Sequence, residues 1–212
     1  MNNYVITIAR GLGSGGSHIA KALSKELNIP WYDKDILYMA SDLSGINEQY
    51  FFEANEKIDK GMITIASSKG AYTGKIYDEQ DKMFLSNENL FNYQAKVIRS
   101  LAMDSDESCI IIGKAANYIL RDFPNVLKVN VQAPMEYCVE SVMRRTSKKS
   151  KEAEKMISRT NKYRSNYYKY YTGRSWIDPR EYDISINTSN MGEEKAVEFI
   201  LYVLKQMDLE IG

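Results

Sequence analysis

Residues 4–27 constrain this chain more than any other stretch. Tyr4, Val5, Ile6, Thr7, Ile8 and Ala9 form a short β-branched and apolar run, the pattern of a fully buried strand. Arg10-Gly11-Leu12-Gly13-Ser14-Gly15-Gly16-Ser17 follows, with four glycines in six residues, so the backbone can turn tightly and approach a ligand closely. Ile19, Leu23 and Leu27 then recur every fourth residue, which starts a helix where the glycines end. A strand, a glycine loop and a helix N-terminus in that order make an anion cradle. Loop amides and the positive end of the helix dipole favour a phosphate there, so nucleotide chemistry is the first expectation.

Composition narrows the classes. The 212 residues suit one core domain, and their formal net charge of zero supplies no global field for nucleic acid or an anionic membrane. No apolar run approaches the ~20 residues that span a bilayer, and the start of the chain lacks the layout of a signal peptide. Cys109 and Cys138, set in a strand-like and a helix-like run, read as two reduced, buried thiols. The expectation is a cytoplasmic protein with small-molecule partners, without nucleic acid or membrane.

Further strands are predicted at residues 109–113, 125–131 and 182–186, with a short apolar patch at 29–32. Helical spacing lies between them, including residues 47–60, and a last helix carries Ala196, Val197, Ile200, Leu201 and Leu204. Strands alternating with helices call for a parallel sheet covered on both faces. The alternation breaks at 35–106 and 143–178, which read as insertions at one edge, and residues 61–86 read as irregular or mobile. Between Arg144 and Arg174 there are eleven Lys or Arg and two acids, Glu152 and Glu154, interleaved with Tyr163, Tyr167, Tyr168, Tyr170 and Tyr171. Such a stretch is a solvated helix face with packed tyrosines, a phosphate-clamping lid, or, least in keeping with zero net charge, a single-strand nucleic-acid surface.

The loop itself fits two phosphate motifs. Gly11-x-Gly13-x-x-Gly16 with Asp33 downstream fits a dinucleotide fold. Read as a P-loop, Ser17 supplies the magnesium-binding hydroxyl, but Gly16 holds the lysine position and Arg10 the first glycine. The local sequence leaves both open.

The wider chain resembles the cytidylate-kinase-like family, a divergent branch of the P-loop nucleoside monophosphate kinases. Five blocks carry the resemblance in order. They are Ile6-Thr7-Ile8-Ala9-Arg10 through Gly16; Trp31-Tyr32-Asp33-Lys34-Asp35-Ile36-Leu37; and Ile111-Ile112-Gly113-Lys114-Ala115-Ala116-Asn117. Tyr167-Tyr168-Lys169-Tyr170-Tyr171-Thr172-Gly173 with Trp176, and Tyr182-Asp183-Ile184-Ser185-Ile186-Asn187-Thr188, complete the set. A lysine-free glycine loop is usual in that branch. Departures from true cytidylate kinases are Lys114 for an arginine, Met39 for an arginine, and Asn161 for the aspartate that precedes the lid arginine, Arg164.

The resemblance implies a three-layer α/β P-loop fold of about five parallel strands. It is a single domain over 1–212, with an acceptor-binding helical insertion at 35–106 and a lid-like insertion at 143–178. It implies ATP with Mg2+ as phosphoryl donor and a nucleoside monophosphate such as CMP as acceptor. Arg10, Gly11, Gly13, Ser14, Gly15, Gly16 and Ser17 would hold the donor, Ser17 also on the metal. Asp33 and Asp35 would hold the acceptor hydroxyl or a magnesium-bound water, or else cap the next helix. Arg99 and Lys114 would grip acceptor phosphate, or else form ion pairs with nearby acids. Arg144, Arg145, Arg159 and Arg164 would close over the transferring group and supply the charge missing at Gly16. The sole histidine, His18, reads as a surface or loop-packing residue. A silent nucleotide-binding protein is the second reading and a dinucleotide oxidoreductase the third.

Overall fold

The computed structural model describes residues 3–56, 70–103 and 107–207. Five parallel strands form its sheet: β1 (Val5–Arg10), β2 (Trp31–Tyr32), β3 (Cys109–Ile112), β4 (Val126–Gln132) and β5 (Ile184–Asn187). Their spatial order is β2-β3-β1-β4-β5. This order decides between the two phosphate motifs. A dinucleotide fold sets its second strand beside the first, whereas here β1 lies between β3 and β4. Helices α1 (Gly16–Leu27), α2 (Asp35–Ser44), α3 (Glu48–Glu56) and α4 (Asn87–Met103) precede β3 or connect to it. After β3 come α5 (Ala116–Ile119), α6 (Met135–Thr146), α7 (Ser150–Thr172), α8 (Thr188–Met191) and α9 (Glu193–Gln206).

Strand periodicity splits the core. On one face Ile6 and Ile8 of β1 meet Ile110 and Ile112 of β3, with Ile19 and Leu23 of α1 and Ile200 and Leu204 of α9. On the other, Val5 and Ile111 meet α2, α4 and the tyrosines at the end of α7. β3 is apolar on both sides, as a doubly covered parallel sheet favours, while β1 and β4 each bury one polar residue, Thr7 and Asn130. No helix among the described residues is long and apolar enough to cross a membrane. Cys109 and Cys138 are free and buried, and burial pushes the Cys109 thiol up to about 12.

The basic, tyrosine-rich stretch divides by face. Tyr167, Tyr168, Tyr170 and Tyr171 are buried, and Tyr171 stacks on Phe91 of α4 at 3.9 Å between ring centroids, 9° from parallel. Such a pair contributes about 1 kcal/mol beyond its buried area. The lysines of the first half of α7 face solvent, and only Ala153 and Ile157 pack there, against Cys138 and Val142 of α6. The second half of α7 is therefore core.

Of the predicted irregular segment, residues 70–86 are described and contain neither helix nor strand. They are held by two amides on α4. Asn89, fully buried, accepts from Tyr77 N at 2.8 Å and donates to Tyr77 O and Phe84 O at 3.0 and 2.8 Å. Asn92 accepts from Gly74 N at 3.2 Å and donates to Lys75 O at 2.6 Å. The expected helix at 47–60 is found as Glu48–Glu56, and its last expected residues lie outside the described ones.

Candidate active site

The ends of β1 and β3 and the start of α2 meet at one cavity of about 140 Å³, lined by Arg10, Asp33, Lys114 and Arg164 among others. Arg10 is the last residue of β1, and its Nη2 lies 2.8 Å from Asp33 Oδ2. Burial lowers the Arg10 pKa, and Asp33 opposes that shift. Lys114 follows β3 in a left-handed turn, Gly113 φ 73°, Lys114 φ 55° and Ala115 φ 53°. A left-handed lysine and alanine cost about 1–2 kcal/mol each, the kind of strain kept where a side chain must be aimed. Burial lowers Lys114 to about 8 against the pull of Asp33, and Arg10, Lys34 and Arg164 lower it further. Arg164, on α7, is lowered to about 9, first by burial and then by Arg10. Its Nη1 donates to the Arg10 carbonyl at 2.8 Å. Three cations thus face one carboxylate in a partly dry site, and the surplus positive charge suits an anion.

Two further donors point the same way. Among the described residues, Arg10 Nε and Asn55 Nδ2 are buried without a hydrogen-bond partner, and both residues line the cavity. Buried donors left unpaired are costly, so a ligand that accepts from them gains affinity. Tyr163, Tyr167, Tyr168, Trp176 and Tyr182 form its aromatic wall, and Asn117 donates to Tyr168 Oη at 2.9 Å across it.

The glycine loop adjoins this cavity through Arg10. Gly13 and Gly15 adopt φ 87° and 85°, which only glycine takes without strain. A β-carbon at Gly13 would stand 2.7 Å from the Cys138 carbonyl oxygen, and one at Gly15 would strike the Glu193 carboxylate. Ser14 Oγ is used internally, its one hydrogen shared between Gly11 O and Val131 O, each at 2.9 Å. Thr188 Oγ1 donates to the Ser14 carbonyl at 2.8 Å and Asn161 Oδ1 accepts from Leu12 N at 2.8 Å, so the loop is braced from α8 and α7. Asn161, expected to be an aspartate, keeps an oxygen acceptor without its charge. Among the described residues the amides of Gly13, Gly15, Gly16 and Ser17 have no hydrogen-bond partner. Ser17 is half-buried on the first turn of α1.

Other predicted site residues lie apart. Asp35 is exposed, and its Oδ2 accepts from Asp33 N at 3.3 Å, ordering the turn that presents Asp33. Arg99 is exposed over the Phe123 ring at 5.1 Å, in an open groove with Lys96 and Arg121. Arg144 and Arg159 are exposed. Arg145 Nη1 lies 3.3 Å from His18 Nε2, and His18 Nδ1 lies 3.2 Å from Glu193 Oε2. That places His18 on the surface, bridging α1, α6 and α9. Met39 packs against the core instead of reaching the cavity. Asn55, Asn117, Tyr163, Trp176 and Tyr182 line the cavity without having been predicted to. For Asn117 and Trp176 the signal was their place in matched blocks, but nothing in the sequence sets Asn55 apart.

Comparison with known proteins agrees with this architecture. A protein of Eubacterium ventriosum ATCC 27560, described as uncharacterized, is 24% identical with a TM-score of 0.70, covering 96% of this chain and 99% of that one. A gluconokinase from Sinorhizobium meliloti 1021 is 13% identical at TM-score 0.53, over 97% and 96% of the two chains. A shikimate kinase from Bacteroides thetaiotaomicron is 12% identical at TM-score 0.52, over 95% and 98%. At such identities the likeness is one of fold, and the fold is the α/β P-loop fold of these kinases. No curated protein matches the chain. The model of the cytidylate kinase-like family matches residues 5–190, and the chain belongs to that family.

Proposed function

We propose that this protein is a phosphotransferase that moves the γ-phosphoryl group of ATP to a small acceptor bearing its own phosphate, a nucleoside monophosphate such as CMP. The observation that carries the reading is the cavity where Lys114 and Arg164 stand in surplus beside the Arg10–Asp33 ion pair. A neutral acceptor would leave that charge unanswered, whereas a phosphomonoester dianion answers it. The aromatic wall suits a planar base, and Asn55 Nδ2 is a spare donor for its carbonyl edge.

Each group has a physical task. Unpaired loop amides and the α1 terminus would hold donor phosphates. Mg2+ takes few protein ligands and mostly phosphate oxygens and water, so the Ser17 hydroxyl is a sufficient protein contribution. When bound, the metal neutralises charge on the bridging phosphates. Asp33 would orient the acceptor, Lys114 would bind its phosphate, and Arg164 would stabilise the transferring group. Arg145, held against His18 on the first turn of α1, already lies beside the donor loop. The exposed Arg144 and Arg159 would contribute only by an inward movement of α6 and the first half of α7. Phosphoryl transfer depends on positioning and electrostatics, which these groups supply.

Incubation with γ-labelled ATP, Mg2+ and a panel of nucleoside monophosphates, with shikimate and gluconate as controls, tests this. Label should pass to a nucleoside monophosphate. The Arg10–Asp33 ion pair favours a second reading, a nucleotide binder without turnover, because it occupies the acid meant for the acceptor. ATP binding with no acceptor labelled would establish that reading instead.

A further inference from the structure

Gly16 stands where a P-loop carries its lysine, and the space that lysine would start into is already filled. A β-carbon at Gly16 would lie 2.5 Å from Arg10 Cβ, 3.2 Å from Arg10 Cγ and 3.3 Å from Val131 Cβ. Real β-carbons do not approach each other so closely, so the Arg10 stem and a side chain at 16 exclude one another. The far end of Arg10 is accommodated in the same manner. A β-carbon at Gly113 would strike Arg10 Nη1, and Gly113 holds φ 73°. Two glycines from separate blocks of the chain, one opening α1 and one directly after β3, therefore make the channel in which this arginine lies.

Arg10 within that channel is only partly engaged. Its side chain is 12% exposed, Nη2 pairs with Asp33, and Nε has no partner among the described residues. An arginine kept solely to pair with Asp33 would need neither an unpartnered donor nor a neighbouring Lys114 and Arg164 of its own sign. From this geometry we infer that Arg10 does the work of the absent P-loop lysine. It binds the donor phosphates from the end of β1, with Asp33 holding the guanidinium in register while the site is empty. Gly16 is the condition for this arrangement rather than a lost residue. A planar guanidinium also offers what an ammonium cannot, two donors at fixed spacing for two phosphate oxygens. The inference rests on the phosphotransferase reading, and it replaces the lid arginines as the source of the missing charge.

Calorimetric titration of the full chain with ATP and Mg2+ tests it, using the parent, Arg10→Met, Gly16→Lys and the double variant Arg10→Ala with Gly16→Lys. Circular dichroism and thermal melts identify any variant that fails to fold. Arg10→Met should weaken ATP binding about 100-fold. Gly16→Lys alone should bind more weakly than the parent or lose cooperativity on melting, because the lysine meets the Arg10 stem. The double variant, with the stem removed, should regain at least ten-fold over Arg10→Met, a recovery that a purely structural Arg10 would not produce. Arg10→Met with the parent's affinity would overturn the inference, as would Gly16→Lys with the parent's affinity, or a folded double variant that recovers nothing. Failure of the parent itself to bind ATP would instead remove the phosphotransferase reading.

Discussion

Arg164 donates its Nη1 hydrogen to the carbonyl oxygen of Arg10 at 2.8 Å, so the longest helix among the described residues is fastened to the last residue of the central strand. Arg164→Ala removes that bond and one of the cavity's cations together. Turnover of the phosphorylated acceptor should fall roughly 100-fold, the scale of one preorganised donor of about 3 kcal/mol. Arg164→Lys, which keeps charge but loses the fork, should recover only part of it. Steady-state kinetics on the three proteins decides the matter, and an unchanged kcat in Arg164→Ala would rule out the assigned role.

Lys114 supplies a prediction in pH. Its pKa in the folded chain is about 8, against 10.5 as an ordinary lysine. Between those values the unfolded chain holds a proton that the folded chain has released, so this group's contribution raises stability as pH rises through the window. Binding a phosphate dianion restores the charge, so acceptor affinity should decline as pH climbs past about 8. Lys114→Arg should shift that decline upward or abolish it. Titrations of CMP at pH 7, 8 and 9 on both proteins make the comparison, and a parent profile flat from 7 to 9 counts against the assignment.

The brace between Asn161 and the loop can be separated from charge. Asn161→Ala leaves the Leu12 amide without its acceptor at a half-buried position, which should cost about 1–2 kcal/mol and loosen the cradle. Asn161→Asp keeps the acceptor and should stay close to the parent in melting temperature. If the two variants melt alike, the bond does not hold the loop.

Asn89 is a stability prediction away from the site. Three hydrogen bonds to residues 77 and 84 converge on one fully buried amide. Asn89→Leu should destabilise by about 3 kcal/mol, because those backbone groups lose their partners out of reach of water. Denaturant melts read the magnitude. A loss under ~1 kcal/mol would mean that this stretch is held by something else.

Hydrogen exchange should divide the basic stretch at its middle. Amides after residue 163, behind the buried tyrosines, should exchange slowly with or without ATP. Amides of 148–160, on the exposed half, should slow when ATP is added, on the μs–ms closing scale of a lid. Equal protection with and without nucleotide along 148–160 would mean that no such closure occurs.

These elements also mark how far the sequence could be read. β1, the loop and α1 were legible because buried apolar runs, glycine and four-residue spacing are local signals. The matched blocks held Arg10, Asp33 and Lys114, while Arg164 came in only as one of four lid arginines. Direction was not legible. Whether Arg10 turned toward the loop or away depends on the register of β1 against β3 and β4, which is set by residues a hundred positions on. Arg99 and Arg159 share their residue type with Arg164, but they sit on exposed faces of their helices. Asn55 had no signal, since its value comes from an unpaired amide hydrogen facing a cavity made mostly by other segments.

The fit between the Arg10 stem and the bare α-carbon of Gly16 has a consequence for descent. A lysine gained at 16 while the arginine remains meets it at 2.5 Å, and an arginine lost from 10 while glycine remains strips the loop of its charge. Neither single substitution leads from one form of the loop to the other without passing through an impaired protein. The two positions are therefore expected to vary as a pair, with arginine at the strand end of related chains wherever glycine stands in place of the lysine.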